Sequence, residues 1–549
     1  MSELETIAFE ADPQAYRHWQ VHIDDDIATV TMHVDATGGL RTDYDLKLNS
    51  YDLAVDIELY DVVQRLRFEH PEVRSVVLTG GFEKVFCAGA NIQMLATSSH
   101  HHKVNFCKFT NETRNAIEQA TDFSGQTWIA AVNGTAAGGG YELALTCDEI
   151  ILVDDGSSAV SLPEIPLLAV LPGTGGLTRV VDKRHVRRDL ADLFCTKSEG
   201  VRGSQALEWG LVDRVVNRTR FDEVVRETAR RVAQRSDRPR AVEGATLAPL
   251  TVQRSRDRLA YAHLDVRIDR DLGAAHLTIT APAQPQPTSA DGLTKAGASG
   301  WLLGLCRELD DAILHLRFNE PTVGTWVFRS EGDVGQVSET EEVLGEHSDH
   351  WFVREVRLYW TRTLKRLDVS ARTILTLVEP GSCFAGTLFD LVLAADRALM
   401  IDHPDQPAVV RLTPANDGWY PMANGLSRLQ SRFWGRDAPL AAARALVGKE
   451  LSAREALDAE LVTAIPDDLD WDEEVRLTLE ERNAFSPDAL TGLEANLRFV
   501  GPETLETKIF GRLSAWQNWI FQRPNAVGSE GALPRFGTGS RPTFSRERV

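Results

Sequence analysis

Residues 301–328 (WLLGLCRELDDAILHLRFNEPTVGTWVF) repeat residues 51–78 (YDLAVDIELYDVVQRLRFEHPEVRSVVL) at a constant offset of 250, and both copies carry the string LRF. The echo runs further in both directions. Residues 260–269 (AYAHLDVRID) match 15–24 (AYRHWQVHID), 385–396 (AGTLFDLVLAAD) match 137–148 (AGGGYELALTCD), and 456–462 (ALDAELV) match 206–212 (ALEWGLV). Self-similarity on this scale in a 549-residue chain predicts two copies of one domain-sized unit. The first is expected over 1–260 and the second over 261–525. Residues 526–549, rich in Gly, Pro and Arg, read as an extended or disordered tail. The Pro/Gly/Ser-rich stretch 281–300 falls inside the second copy, as a surface loop.

The first copy is organised around residues 133–148 (NGTAAGGGYELALTCD). The apolar run 128–132 (WIAAV) reads as a buried strand leading in, and a helix-spaced run from Tyr141 leads out. Strand, glycine turn and helix together aim backbone N–H groups at an anion. No Lys-Ser/Thr follows the glycines and no G-x-G-x-x-G spacing is present, so a P-loop and a dinucleotide site both fit poorly. An oxyanion hole remains, and it needs a second donor. A second strand, 75–79 (SVVLT), feeds a second small-residue turn, 85–92 (VFCAGANI). Two carboxylates stand nearby in sequence: Glu142 in the first helical turn and Glu164 in SLPEIPLL, 22 residues later. Alone, Glu142 could simply complement a helix dipole and Glu164 could be a turn residue.

The strings LTGGFEKVFCAGANI, AAVNGTAAGGGYELALTCDEI and SLPEIPLLAVLPGTGGLTR, in this order and spacing, resemble the crotonase (enoyl-CoA hydratase/isomerase) superfamily. The resemblance implies an α/β fold of tandem crotonase-like (ClpP/crotonase) domains, built from repeated ββα units with C-terminal helices. It also implies an acyl-CoA substrate, with the thioester oxygen held by the backbone N–H groups of Ala90 and Gly139. Glu142 and Glu164 fall on the family's catalytic pair, and two close carboxylates beside apolar walls should separate into one acid and one base. Ala88 and Gly138 are carried as substrate-contacting positions. Lys47, just before the family-like LNSYDL, is placed for a CoA phosphate, though a plain solvated lysine reads equally well. At full length, and through KVNFCKFTNETRN, the chain resembles the benzoyl-CoA-dihydrodiol lyases, also called 2,3-epoxybenzoyl-CoA dihydrolases, of aerobic benzoate catabolism. Their ring-opening hydrolysis implies no cofactor beyond the CoA of the substrate. Two alternatives stay open: a hydratase/isomerase of linear acyl-CoAs, and a non-catalytic acyl-CoA-binding scaffold.

Segment 97–115 departs from the simple family pattern. Its three adjacent histidines, 100–102, diverge on any regular element and so read as a solvated loop, without metal. Cys107 is either a catalytic pocket residue on the helix that follows or a small buried hydrophobe. The second copy has lost the chemistry. Thr387 and Leu388 replace two of the glycines, Asp390 replaces Glu142, and VSETE (337–341) replaces the small-residue turn. A non-catalytic buttress is expected there.

A formal net charge of −21 argues against nucleic-acid and anionic-membrane surfaces. The N-terminal stretch MSELETIAFEAD has no signal-peptide core, and no apolar run reaches the ~20 residues of a membrane span. Six scattered Cys without C-x-x-C spacing fit a reducing cytoplasm. A homodimer is expected, the fused second unit taking the place of the trimer contacts of single-unit relatives.

Overall fold

Apolar runs without polar alternation become the inner strands of a parallel sheet in each half of the chain, as strands covered on both faces must. The computed structural model describes residues 6–240 and 242–549, so residues 1–5 of the acidic N-terminal stretch lie outside it. It divides the chain into two units: 9–249, and 250–549 together with the N-terminal residues up to Ala8.

The first unit opens with an antiparallel hairpin, β1 (Trp19–Asp24) and β2 (Ile27–Met32). Helix α1 (Leu53–Phe68) follows, capped by Asp52, whose Oδ1 accepts from Ala54 N at 2.9 Å. Then come β3 (Ser75–Gly80), β4 (Lys84–Cys87), α2 (Ile92–Thr97), α3 (His100–Ser124), β5 (Thr127–Val132), β6 (Gly134–Ala137) and α4 (Gly139–Ala144). After them come β7 (Glu149–Asp154), β8 (Ala159–Ser161), α5 (Glu164–Leu168), α6 (Gly176–Thr178), α7 (Arg188–Cys195), β9 (Val201–Arg202), α8 (Gly203–Glu208), β10 (Arg214–Asn217) and α9 (Phe221–Ala233). The main sheet has the order β1-β2-β3-β5-β7-β10, parallel from β2 onward. A smaller sheet, β4-β6-β8-β9, stands beside it. Amphipathic α9 lays Phe221, Val225, Ala229 and Val232 on Val77, Ile129 and Ile151 of the main sheet. Both glycine-rich turns therefore leave the carboxyl ends of neighbouring parallel strands, through β4 and β6.

The second unit repeats this plan. Strands β11 (Gln253–Ser255), β12 (Arg258–Ala260), β13 (Leu264–Asp269) and β14 (Ala274–Thr280) form an antiparallel meander. After α10 (Ala290–Ala296) and α11 (Trp301–Asn319), strands β15 (Thr325–Glu331), β16 (Thr373–Val378) and β17 (Arg397–Met400) continue the sheet in parallel. Helices α12 (Val334–Glu346) and α13 (Trp351–Asp368) lie between β15 and β16, and α14 (Gly386–Ala394) precedes β17. Buried polar clusters are duplicated along with the strands. Tyr16 donates to Asp61 and Tyr261 to Asp311; Glu58 accepts from His18 N at 2.9 Å and Glu308 from His263 N at 2.8 Å.

Several expectations change. The first unit does not run to 260, because residues 253–260 form a hairpin that extends the second unit's sheet. Ile7 likewise bonds Asn319 of the second unit, N–H to Oδ1 at 2.9 Å. The proline-rich stretch 281–300 contains α10, whose N-cap Ser289 accepts from Gly292 N. The histidines at 100–102 do not form a loop: they open α3, capped by the Ser99 side chain. The 526–549 tail is not free. It carries a short helix, Ala532–Arg535, and Arg548 is buried and pairs with Glu494 at 3.1 Å.

Candidate active site

The LNS segment makes the first approach to the site. Leu48 and Asn49 both adopt left-handed backbone (φ 57° and 54°), a costly conformation for a leucine. Asn49 holds it: its side chain accepts from Val34 N and donates to the carbonyls of Met32 and Phe86. The Leu48 carbonyl then accepts the Ala88 N–H at 3.1 Å, which ties the first turn down at an exposed alanine. Lys47 projects outward, its side chain 77% exposed and 3.5 Å from Asp45.

Ala90 forms a parallel bridge with Tyr51. Tyr51 N donates to Gly89 O at 3.0 Å, and Asn91 N donates to Tyr51 O at 2.8 Å. These bonds use the peptides flanking Ala90, so its own N–H points away from Tyr51. The second turn lies directly beside the first. A Cβ on Gly89 would sit 2.9 Å from the Gly139 nitrogen. Gly139 is the first residue of α4, where N–H groups have no acceptor within the helix. The structure thus brings the two expected donors, one residue apart across that contact, to a single place.

The glycines at this turn answer to close neighbours. Gly138 has φ +53°, and a Cβ there would lie 2.9 Å from Glu164 Oε1; a Cβ on Gly139 would collide with the Tyr51 hydroxyl. Both expected carboxylates face this turn, in different states. Glu142, 2% exposed, accepts from Gly176 N at 2.7 Å through Oε1 and from the Thr174 hydroxyl through Oε2. Glu164 is also buried, yet its Oε2 has no hydrogen-bond partner among the described residues. Burial, and then the charge of Glu142, push the Glu164 carboxyl up to about 7. Glu142 accepts at both oxygens, while Glu164 keeps one oxygen unpartnered and is readily protonated at neutral pH, a division suited to acid–base work.

Cys107 lies half-buried on α3 in the field of Glu142. Burial and that charge push its thiol up to about 11, which leaves it protonated and a poor nucleophile. Among the described residues, no group of three or more His, Cys, Asp or Glu is placed to hold a metal ion, the histidines of α3 included.

Sequence reasoning passed over Arg114, Tyr51, Thr174 and Gly176, although all four lie in the quoted strings. The clearest available signal was Arg114. With Phe106, Thr110 and Ile117 it occupies the core-facing stripe of α3, where an arginine is out of place unless it has partners. Its side chain is 2% exposed.

The second unit keeps the shape of the turn and fills it. Gly386, opposite Gly138, also has positive φ (+41°). The Thr387 N–H, opposite that of Gly139, donates to Glu341 at 2.5 Å; the Thr387 and Thr413 hydroxyls bond the same carboxylate. Where the first unit presents a backbone donor, the second has already occupied its own.

The chain is similar to several known proteins. The sequence pattern of the enoyl-CoA hydratase/isomerase family matches residues 44–268. Benzoyl-CoA-dihydrodiol lyase from Aromatoleum evansii is 56% identical over 547 residues, covering 99% of this chain and 98% of that protein. Carnitinyl-CoA dehydratase from Proteus mirabilis is 33% identical over 195 residues, 34% of this chain and 67% of that protein. Among solved structures, an enoyl-CoA hydratase from Bacillus anthracis is 30% identical, with a TM-score of 0.34, covering 39% of this chain and 76% of that one. The chain belongs to the enoyl-CoA hydratase/isomerase, or crotonase, family. Within it, the full-length similarity is to benzoyl-CoA-dihydrodiol lyase.

Proposed function

We propose that this chain is a lyase that opens the ring of 2,3-epoxybenzoyl-CoA with two waters, giving 3,4-didehydroadipyl-CoA semialdehyde and formate, as a step in aerobic benzoate catabolism. The full-length likeness to benzoyl-CoA-dihydrodiol lyase supports the reading. The observation that carries it is the pair of carboxylates at the two-donor turn, one bonded at both oxygens and one with an unpartnered oxygen.

Two waters enter and no electrons are gained or lost overall, so the stoichiometry calls for no redox cofactor, and CoA arrives with the substrate. The thioester carbonyl conjugates with the ring. Charge released by water addition and C–C scission can therefore reach its oxygen, where the Ala90 and Gly139 N–H groups would hold it. A donor of this kind is typically worth ~3–4 kcal/mol of transition-state stabilisation. Glu142 would take a proton from the attacking water, and Glu164 would supply one to the epoxide oxygen. Cys107, as a neutral thiol, would orient a water. Ala88 and Gly138 would line the acyl group, and Lys47 would meet a CoA phosphate. The second unit would be a non-catalytic buttress. Six unpaired cysteines fit a reducing cytoplasm. A homodimer fits the exposed Leu505, Phe510 and Phe536, and light scattering would test it.

The deciding experiment supplies 2,3-epoxybenzoyl-CoA, generated in situ, and measures formate together with the mass of the CoA product. Stoichiometric formate with a semialdehyde CoA ester is expected. Hydration of crotonyl-CoA without formate would make the protein a linear enoyl-CoA hydratase, and tight acyl-CoA binding without turnover would make it a binding protein. Wild-type turnover in both Glu142→Gln and Glu164→Gln would remove the roles given to the carboxylates.

A further inference from the structure

Arg114 bonds three groups of the site and has no part in the chemistry above. Its Nη2 donates to the Gly139 carbonyl at 2.9 Å and to the Tyr51 hydroxyl at 2.8 Å. Its Nη1 donates to the Thr174 carbonyl at 2.9 Å and lies 3.8 Å from Glu142 Oε2. Gly139 supplies one oxyanion donor, and the Thr174 hydroxyl bonds Glu142. Tyr51 completes the circuit. Its backbone brackets Ala90, the other donor, while its hydroxyl sits against Gly139.

A buried guanidinium is expensive, and an arginine kept only for packing would be replaced by an apolar side chain at little or no loss. Here each contact goes to a group that sets the position of a donor or of the carboxylate. The Gly139 N–H and carbonyl lie in successive peptide units joined by helical backbone at the start of α4, so fixing the carbonyl limits how the first turn can tilt, and with it the Gly139 N–H. The same cation stands behind the place where negative charge would develop, in a site shielded from water, where a fixed charge acts strongly.

We propose that Arg114 and Tyr51 are a positioning pair that locks both oxyanion donors and Glu142 into one frame. Neither side chain needs to touch substrate. The inference rests on the acyl-CoA reading of the turn, and not on the identity of the ring-opening reaction.

The test uses the full-length protein and benzoyl-CoA carrying a 13C-labelled thioester carbonyl, an unreactive ligand whose carbonyl stretch reports polarisation on binding. In the wild type the stretch should move to lower wavenumber than in solution. Arg114→Gln should lose most of that shift and roughly 100-fold in formate turnover, with KM changed by less than about threefold. Arg114→Lys, which keeps the charge but cannot bridge the three acceptors, should fall between. If Arg114→Gln does not fold, Tyr51→Phe decides. It removes one hydroxyl, and should lose part of the carbonyl shift and about tenfold in turnover at similar benzoyl-CoA affinity. Folded variants with a wild-type carbonyl shift and wild-type turnover would overturn the proposal, as would losses seen only in affinity. A wild-type protein that polarises benzoyl-CoA but releases no formate would sink the ring-opening assignment and leave this inference standing, to be read from the carbonyl shift alone.

Discussion

Replacing Gly138 by alanine tests whether the turn and Glu164 are built as one unit. Gly138 has φ +53° and ψ −128°, a region that L-residues rarely enter, so an alanine there should cost about 1–3 kcal/mol in backbone strain. The new Cβ would also lie 2.9 Å from Glu164 Oε1 and 3.6 Å from its Cδ, so the carboxyl end must swing away by several tenths of an ångström. That movement costs little stability, because Oε2 has no hydrogen bond to lose. It displaces the proposed proton donor, and a misplacement on this scale can cost 10- to roughly 100-fold in rate. Gly156→Ala is the control. Gly156 also has positive φ (+75°), yet a Cβ there would meet nothing within 4 Å. Both variants should lower the melting temperature, by about 2–4 °C per kcal/mol for a unit of this size. Only Gly138→Ala should slow formate release. In a Glu164→Ala background, Gly138→Ala should destabilise by the same amount, because strain and not the clash dominates. Equal turnover in the two glycine variants would refute the coupling.

The other predictions concern groups whose surroundings set their behaviour. The Glu164 carboxyl titrates at about 7 in the folded protein against an ordinary 4.5, so the folded state holds that proton more tightly and loses stability as pH rises between these values. Urea midpoints at about pH 5 and about pH 8 should therefore fall more in the wild type than in Glu164→Gln, and equal changes would place the titration elsewhere. Cys107→Ala should keep turnover within about tenfold, and mass spectrometry during turnover should find no adduct on Cys107, since its thiol stays protonated. Glu341→Ala strips the acceptor from the Thr387 N–H and from the Thr387 and Thr413 hydroxyls. It should destabilise by about 1–3 kcal/mol per stranded donor while leaving saturated formate release unchanged, and a large loss of turnover with intact fold would show that the second unit is not inert. Arg548→Ala removes the cation paired with the buried Glu494, which still feels Arg498 and Arg372, and should cost about 1.5–3 kcal/mol in chemical denaturation; no loss would mean that the tail is not anchored in solution.

What could be read from the chain ahead of its structure was local or periodic. The strands read at 75–79 and 128–132 announce themselves because parallel strands are apolar on both faces. The glycine turns and the two carboxylates could be found because motif order survives where tertiary geometry demands it. What stayed hidden depends on partners distant in sequence. HHHKVN looks like a loop when read alone. It becomes the first turns of a 25-residue helix because Phe106, Phe109, Ile117 and Ala120, further along, bury one face of α3. Arg548 reads as disordered until Glu494, far away in sequence, is placed beside it.

The two copies diverge in a way that joins these points. Gly386 keeps the positive φ of Gly138, so the second turn still aims its N–H groups inward. A buried N–H must find an acceptor. In the first unit that requirement can be met by a substrate oxygen. In the second, the small-residue turn after β15 has been replaced by α12, and α12 delivers Glu341 to Thr387. The VSETE string, which read as a simple loss of the motif, thus includes the compensation that lets the old turn persist without a ligand. The same logic gives the proposed role of Arg114 its place in the first unit. An N–H kept available for a thioester oxygen has no permanent acceptor to hold it in place, so its frame must be fixed from behind, through the Gly139 carbonyl and the Tyr51 hydroxyl. In the second unit the Glu341 carboxylate fixes Thr387 directly, and the cation near the turn, Arg357, acts on that carboxylate.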